Sequence, residues 1–281
     1  MIEYELKLAG SRCAVVEWNP GGSILVFALH GWLDNLASFE SLVEFMPDIR
    51  LIAVDFPGHG HSEHIPAGRA YHFIEGIYLI DDLVNHFGAS PVNLLGHSMG
   101  AAVSTLYAAS QPEKLAGLVL IESLGPLTAS PLESVSLMQK ALAQRVALAE
   151  KRKPVYPSFE QALTARAEVS QIEASLIKPL VERALTHVEG GYTWRADSRL
   201  RVASPLRMAE SNLEPVLSAI EAEVLLIEGD KSFIAADGQL QSRKQLFKRI
   251  QTKQLAGGHH VHLQQPQATG ELIQSFFTSL A

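Results

Sequence analysis

Val92-Asn93-Leu94-Leu95-Gly96-His97-Ser98-Met99-Gly100-Ala101-Ala102-Val103-Ser104-Thr105-Leu106 begins as an apolar run and ends as a helix-prone segment, with a serine at the change of direction. The run Val92 to Leu95 reads as a buried strand and the Ala-rich continuation as a helix. Glycines 96 and 100 remove the Cβ atoms that a sharp strand-to-helix turn would force together. Ser98 is then held in a strained conformation with its hydroxyl exposed, and the helix N-terminus behind it favours developing negative charge. A nucleophile needs these properties, so Ser98 is the candidate. The pentapeptide alone would equally suit a serine at an ordinary glycine-bounded helix start.

Outward from this turn, apolar and β-branched runs recur at Ile24 to Leu29, Arg50 to Asp55 and Leu118 to Ile121. The segments between them are long enough for helices, with candidates at Ser38 to Phe45, Ile74 to Phe87 and Met99 to Ala109. Such alternation predicts an α/β fold around a parallel sheet buried on both faces. Ile2 to Leu8 and Cys13 to Trp18 flank Ala9-Gly10-Ser11 and read as an opening hairpin. After Ser123 the pattern changes. Pro126 to about Ile220 is rich in Ala, Leu, Glu and Lys, which predicts a helical insertion with an exposed basic patch at Lys151-Arg152-Lys153-Pro154. Strand character returns at Val224 to Glu228 and near Thr252 to Leu255, and an amphipathic stretch, Ala268 to Leu280, follows.

A length of 281 residues suits one large α/β unit with an inserted subdomain. Apolar residues at 47% and charged residues at 19% place the chain with globular proteins. A formal net charge of -7 argues against nucleic acid as a partner, since binding a phosphate backbone requires clustered Lys and Arg. The single cysteine, Cys13, allows no intrachain disulfide and gives no argument for an oxidising compartment. Met1-Ile2-Glu3-Tyr4-Glu5-Leu6-Lys7 is unlike a secretion signal, and no apolar run approaches the roughly 20 residues of a membrane span. The expectation is a soluble, cytoplasmic protein; oligomeric state is left open.

Four stretches taken together resemble the serine hydrolase-like proteins, a branch of the α/β-hydrolase superfamily. They are His30-Gly31-Trp32-Leu33-Asp34-Asn35, Asp55-Phe56-Pro57-Gly58-His59-Gly60-His61-Ser62, Gly96-His97-Ser98-Met99-Gly100 and Gly258-His259-His260-Val261-His262. The match covers roughly residues 1–123 and 220–281. It implies an α/β-hydrolase fold: a mostly parallel eight-stranded sheet with helices on both faces, a core of 1–123 and 219–281, and a helical cap of 124–218 forming the pocket roof. The implied activity is hydrolysis of a small-molecule ester or related acyl bond, on a substrate with an apolar acyl or alcohol part, without cofactor or metal.

By this resemblance the backbone amides of Trp32 and Met99 form the oxyanion hole, with the Trp32 indole free to line the pocket. Asp34 and Asn35 read as helix caps. The family's Gly-His followed by a Pro, here Pro266, assigns the base to His259, with His260 as the alternative and His262 as a packed structural residue. The chain departs from the pattern at the acid. Most α/β-hydrolases carry it three residues after the glycine ending the post-cap strand, which here is Ser232. Glu122, at the end of an apolar strand where a carboxylate has no structural purpose, is the preferred replacement, and Asp230 the other candidate. Tyr192-Thr193-Trp194-Arg195-Ala196-Asp197-Ser198-Arg199 reads as a surface network.

Two rival readings remain. His59-Gly60-His61-Ser62-Glu63-His64 looks like the zinc motif of metallo-β-lactamase-type hydrolases with Glu for Asp, so His59, His61 and His64 are candidate metal ligands. Ser232 at the expected acid position also suits a binding protein that keeps the fold without turnover. Dehalogenase and epoxide hydrolase chemistries would need Asp where Ser98 stands.

Overall fold

The computed structural model describes residues 1–88 and 90–281, and for Ala149 the backbone alone. Its strands are β1 (Ile2–Leu8), β2 (Ser11–Trp18), β3 (Ile24–Leu29), β4 (Ile49–Val54), β5 (Val92–His97), β6 (Leu115–Ile121), β7 (Leu185–Val188), β8 (Gly191–Trp194), β9 (Glu223–Gly229) and β10 (Ile250–Leu255). Eight of them form one sheet in the order β1-β2-β4-β3-β5-β6-β9-β10. The β1–β2 and β2–β4 pairs are antiparallel. All remaining neighbours in this sheet run parallel. This is the α/β-hydrolase fold expected above.

The near-continuous apolar runs follow from burial of both faces. Along β3, Phe27 and Leu29 enter one core while Val26 and Ala28 enter the other, as the period of two in a strand requires. The first core is closed by α1 (Gly76–Phe87), α2 (Met99–Ser110) and, packed beside α2, α6 (Glu210–Ser218). The second is closed by the segment Leu36–Phe45 and the C-terminal helix Pro266–Thr278. An α-helix was expected over Ser38 to Phe45, but the segment is 3₁₀. With three residues per turn, Leu36, Phe39 and Leu42 align in one row against the sheet, and all three are buried.

Between Ile121 and Glu223 the chain forms α3 (Ser134–Glu150), α4 (Phe159–Ser170), α5 (Ala174–Ala184) and α6. It also forms an antiparallel hairpin, β7–β8, which the expectation of an all-helical insertion missed. The signal was present: β-branched and aromatic residues flank Gly190-Gly191, and both glycines adopt positive φ in the turn. Lys153, expected in an exposed patch, turns inward and donates to the carbonyls of Trp194 and Arg195 at 2.9 and 3.2 Å. Arg243, fully buried, fastens both ends of this long insertion. It donates to the carbonyls of Leu124 and Pro126 at the entry and takes Glu210 in a two-pronged ion pair, 2.7 Å on each prong, at the exit. Among the described residues no helix is long and apolar enough to cross a membrane.

Candidate active site

The turn after β5 places Ser98 at φ 51° and ψ −110°, the strained geometry anticipated for it. Two contacts hold the turn: Ser98 N–H donates to Ile121 O at 2.9 Å, and Gly100 N–H to His30 O at 3.1 Å. Both glycines are required by close approach. A Cβ at Gly96 would meet the backbone of Ala101, and one at Gly100 would meet the backbone of Leu29.

Three side chains from three loops line up at this point. His259 Nε2 lies 2.9 Å from Ser98 Oγ, and His259 Nδ1 lies 3.2 Å from Glu122 Oε2. A proton on Nδ1 satisfies both contacts, because Nδ1–H then donates to the carboxylate while Nε2 accepts from the serine hydroxyl. Glu122 is 1% exposed and sits at φ 57°, where the chain leaves β6 beside β9. Its other oxygen, Oε1, accepts from Gly229 N–H at 2.6 Å, so the glycine that ends β9 supplies a donor to the carboxylate. A side chain at Gly229 would strike the carbonyls of Gly257 and Gly258 in the histidine loop.

The other acid candidate takes a different part. Asp230 is exposed and accepts from Gly257 N–H at 2.9 Å, shaping the histidine loop from outside, and among the described residues it makes no hydrogen bond or ion pair with the His259 ring. Ser232, at the position where an acid was expected, is buried and caps the short helix Phe233–Ala236 by accepting from Ala235 N–H.

Asp34 was expected as a helix cap and is not one; Asn35 is, accepting from Ala37 N–H at 3.1 Å. Asp34 instead points inward, where Arg166 of α4 donates to Oδ1 at 2.6 Å and His260 Nε2 lies 3.3 Å from Oδ2. His97 Nδ1 is 3.6 Å from the same oxygen, and His97 Nε2 is 2.9 Å from the carbonyl of His259. Burial pushes the Asp34 carboxyl up, but His260, His97 and the Arg166 charge outweigh it and hold the carboxyl well below its usual range. Asp34 thus joins the insertion to the loop carrying His259. Sequence reasoning missed it because Arg166 lies 132 residues away, with no local pattern linking the two. His262, expected to be structural, is buried with Nε2 2.7 Å from Ser38 Oγ. Burial and the neighbouring histidines push its pKa well down.

The three histidines of the zinc-like motif face different partners. Buried His59 has Nδ1 3.2 Å from Pro57 O and stacks edge-on with His30. His61 Nδ1 is 3.7 Å from Glu3, and His64 Nε2 is 3.0 Å from the carbonyl of Arg195. Among the described residues no three His, Cys, Asp or Glu side chains converge as metal ligands. Asp197 is buried rather than superficial: it accepts from Arg199 at 2.6 Å and from Tyr71 at 2.9 Å, while Arg195 donates to Leu185 O instead.

Burial lowers His30 to about 4 and His59 to about 3. Both stay neutral in the fold at pH values where an unfolded chain, near its ordinary 6.5, takes up protons. The unfolded state then binds more protons, so stability rises with pH across this window and is lost as pH falls from about 6.5 toward 4. Once below the unfolded value, each such histidine contributes a loss of up to about 1.4 kcal/mol per pH unit. Urea unfolding between pH 7 and 4.5 should show this decline, and His59→Gln, which cannot titrate, should flatten it. An unchanged slope in that variant would rule out His59 as a contributor.

Met99 opens α2, where an N–H has no intrahelical acceptor, and the Trp32 N–H has none among the described residues. Both residues line the same cavity as Ser98. The Trp32 side chain, half exposed, lines this cavity and donates from Nε1 to Leu200 O at 2.9 Å. The cavity, about 1330 Å³, lies between the sheet core and the insertion. Its buried walls are mostly apolar, including Leu79, Leu106, Ile234 and Leu240, beside the buried polar side chains of His59, Glu122 and Ser123.

A family model described as the alpha/beta hydrolase fold matches residues 24–266. The serine hydrolase-like protein of Danio rerio is 30% identical over 98% of this chain and 87% of its own. The crystal structure of a hypothetical protein from Pseudomonas aeruginosa PAO1 superposes with a TM-score of 0.93 at 34% identity, over 99% of this chain and 100% of that one. A thioesterase domain from the curacin biosynthetic pathway superposes with a TM-score of 0.85 at 25% identity, over 97% and 99% of the two chains.

Proposed function

The chain belongs to the α/β-hydrolase superfamily, in its serine hydrolase-like branch, and from that premise we propose that it hydrolyses carboxylic esters through an acyl-enzyme on Ser98. The reading rests above all on the unbroken line from Ser98 Oγ through the His259 ring to the buried Glu122 carboxylate, 2.9 and 3.2 Å.

In this mechanism Ser98 Oγ attacks the acyl carbonyl as His259 Nε2 takes its proton. Glu122 holds the ring with its proton on Nδ1 and stabilises the imidazolium that forms. The Trp32 and Met99 amides receive the oxyanion, each worth about 10² to 10³ in kcat. His259 then protonates the leaving group, and in the second half it activates the water that releases the acid. Residues 124–218 act as a cap that roofs the cavity and sets specificity. The apolar walls favour a small-molecule ester with an apolar acyl or alcohol part.

Labelling with a fluorophosphonate, followed by peptide mapping, tests the reading directly. A single phosphonylated site at Ser98 is the expected result, because only a serine beside an activated base reacts. An unlabelled protein that nevertheless turns over p-nitrophenyl esters would require a different nucleophile.

A further inference from the structure

The cavity beside Ser98 is larger than a small ester requires: about 1330 Å³, against roughly 300 to 1,000 Å³ for a typical small-ligand site. Its charges are distributed unevenly. Three exposed cations, Lys140 of α3, Arg201 and Arg207, line it, and the one exposed acid among its described lining residues is Glu75. This local excess opposes the character of the whole chain, whose formal net charge is -7.

Lys140 and Arg201 sit near one junction of the insertion. Lys140 lies one turn before Gln144, and Gln144 Oε1 accepts from the amide of Ala203, two residues beyond Arg201. Several other basic groups of the insertion are committed: Arg166 to Asp34, Arg183 to Asp55 and Arg199 to Asp197. What sets Lys140, Arg201 and Arg207 apart from Arg145, Lys151 and Arg152, equally unpaired among the described residues, is that they line the cavity. Among the described residues Lys140, Arg201 and Arg207 have neither an ion pair nor a side-chain hydrogen bond. Unpaired cations beside a large apolar cavity are complementary to an amphiphile with its chain inside and an anionic group at the rim.

We propose that the substrate is a long-chain acyl ester or thioester whose leaving group carries phosphate, with the phosphate received by Lys140, Arg201 and Arg207. The proposal rests on the acyl-enzyme reading above. Ser98 Oγ bonds to the acyl carbon as the bond to the leaving oxygen or sulfur breaks, and the Ser98 proton passes through His259 to that leaving atom. Water then restores Ser98 and completes a fatty acid, so the products are one acid and one phosphate-bearing alcohol or thiol.

The test compares substrates that share a palmitoyl chain, each below its micelle concentration. Palmitoyl-CoA and 1-palmitoyl-lysophosphatidylglycerol carry phosphate; 1-monopalmitoylglycerol and p-nitrophenyl palmitate do not. The wild type should favour one phosphate-bearing substrate in kcat/KM, and which one identifies the thioester or the glycerophosphate source. In the Lys140→Glu/Arg201→Glu/Arg207→Glu variant, whose altered side chains are all exposed, that preference should fall by about 100-fold or more, and added salt should erode it in the wild type. Calorimetric binding of palmitoyl-CoA and of the lysolipid to Ser98→Ala, with and without the triple change, reads the subsite without turnover. A preference unchanged by the triple variant, or no preference at all, overturns the proposal. If Ser98→Ala keeps full turnover while the charge-dependent binding persists, the acyl-enzyme reading fails and the phosphate subsite stands.

Discussion

Ser98→Ala is expected to lower kcat toward p-nitrophenyl esters by about 10⁶-fold, the scale seen when a triad nucleophile is removed and only the oxyanion hole and binding remain. Among the described residues Ser98 Oγ is the one hydroxyl hydrogen-bonded to His259 Nε2, so no neighbouring hydroxyl is placed to take over. Alanine keeps the Cβ that the turn already accommodates, so the thermal midpoint should stay within a few degrees and separate lost chemistry from lost fold. A series of p-nitrophenyl esters of graded chain length measures both the effect and the acyl preference. Activity surviving at more than about one part in a thousand would remove Ser98 from the mechanism. In that event chelation and metal analysis should turn to His59, His61 and His64.

The second large effect is expected at the acid. Glu122→Gln should lower kcat by about 10⁴-fold, while Asp230→Asn should change it by less than about threefold. The difference lies in what each carboxylate accepts. Glu122 receives two donors, Gly229 N–H on one oxygen and His259 Nδ1 on the other. An amide has one accepting oxygen, so its NH₂ must face one of those donors. Facing Gly229, it leaves a buried N–H unpaired, at a cost of about 1 to 3 kcal/mol. Facing His259, it favours the tautomer with the proton on Nε2, which cannot accept from Ser98. Asp230 accepts a single amide, from Gly257, and asparagine can still do so. Steady-state kinetics of both variants decides the matter: if only Asp230→Asn loses activity, the acid has been assigned to the wrong loop.

In the proposed mechanism the acid is carried at the end of β6 rather than after β9. The ends of β6 and β9 are neighbours in the sheet, with Ile121 paired to Ile227. A carboxylate leaving β6 can therefore reach the same histidine loop as one after β9. Ser232 serves as a helix cap. Gly229 remains necessary because the histidine loop crosses directly over it.

The sheet, its parallel core and the turn at Ser98 were legible in the sequence. Their causes are local: apolar runs mark strands buried on two faces, and glycines at 96 and 100 answer contacts within a few residues or with the adjacent strand. The strained serine needed no distant information to be found. What the sequence could not determine were meetings between distant segments. The approach of His259 to Glu122, 137 residues apart, was an inference from resemblance and strand order until the packing brought their atoms to 3.2 Å. The Asp34 ion pair with Arg166 had no signature at all, since either residue alone reads as an ordinary surface or capping group. The β7–β8 hairpin, by contrast, carried a local signal in the residues flanking Gly190-Gly191, and the helical composition around it masked that signal. Periodicity and glycine spacing encode the backbone's local geometry, whereas the partner of a buried charge is chosen by the three-dimensional packing that removes it from water.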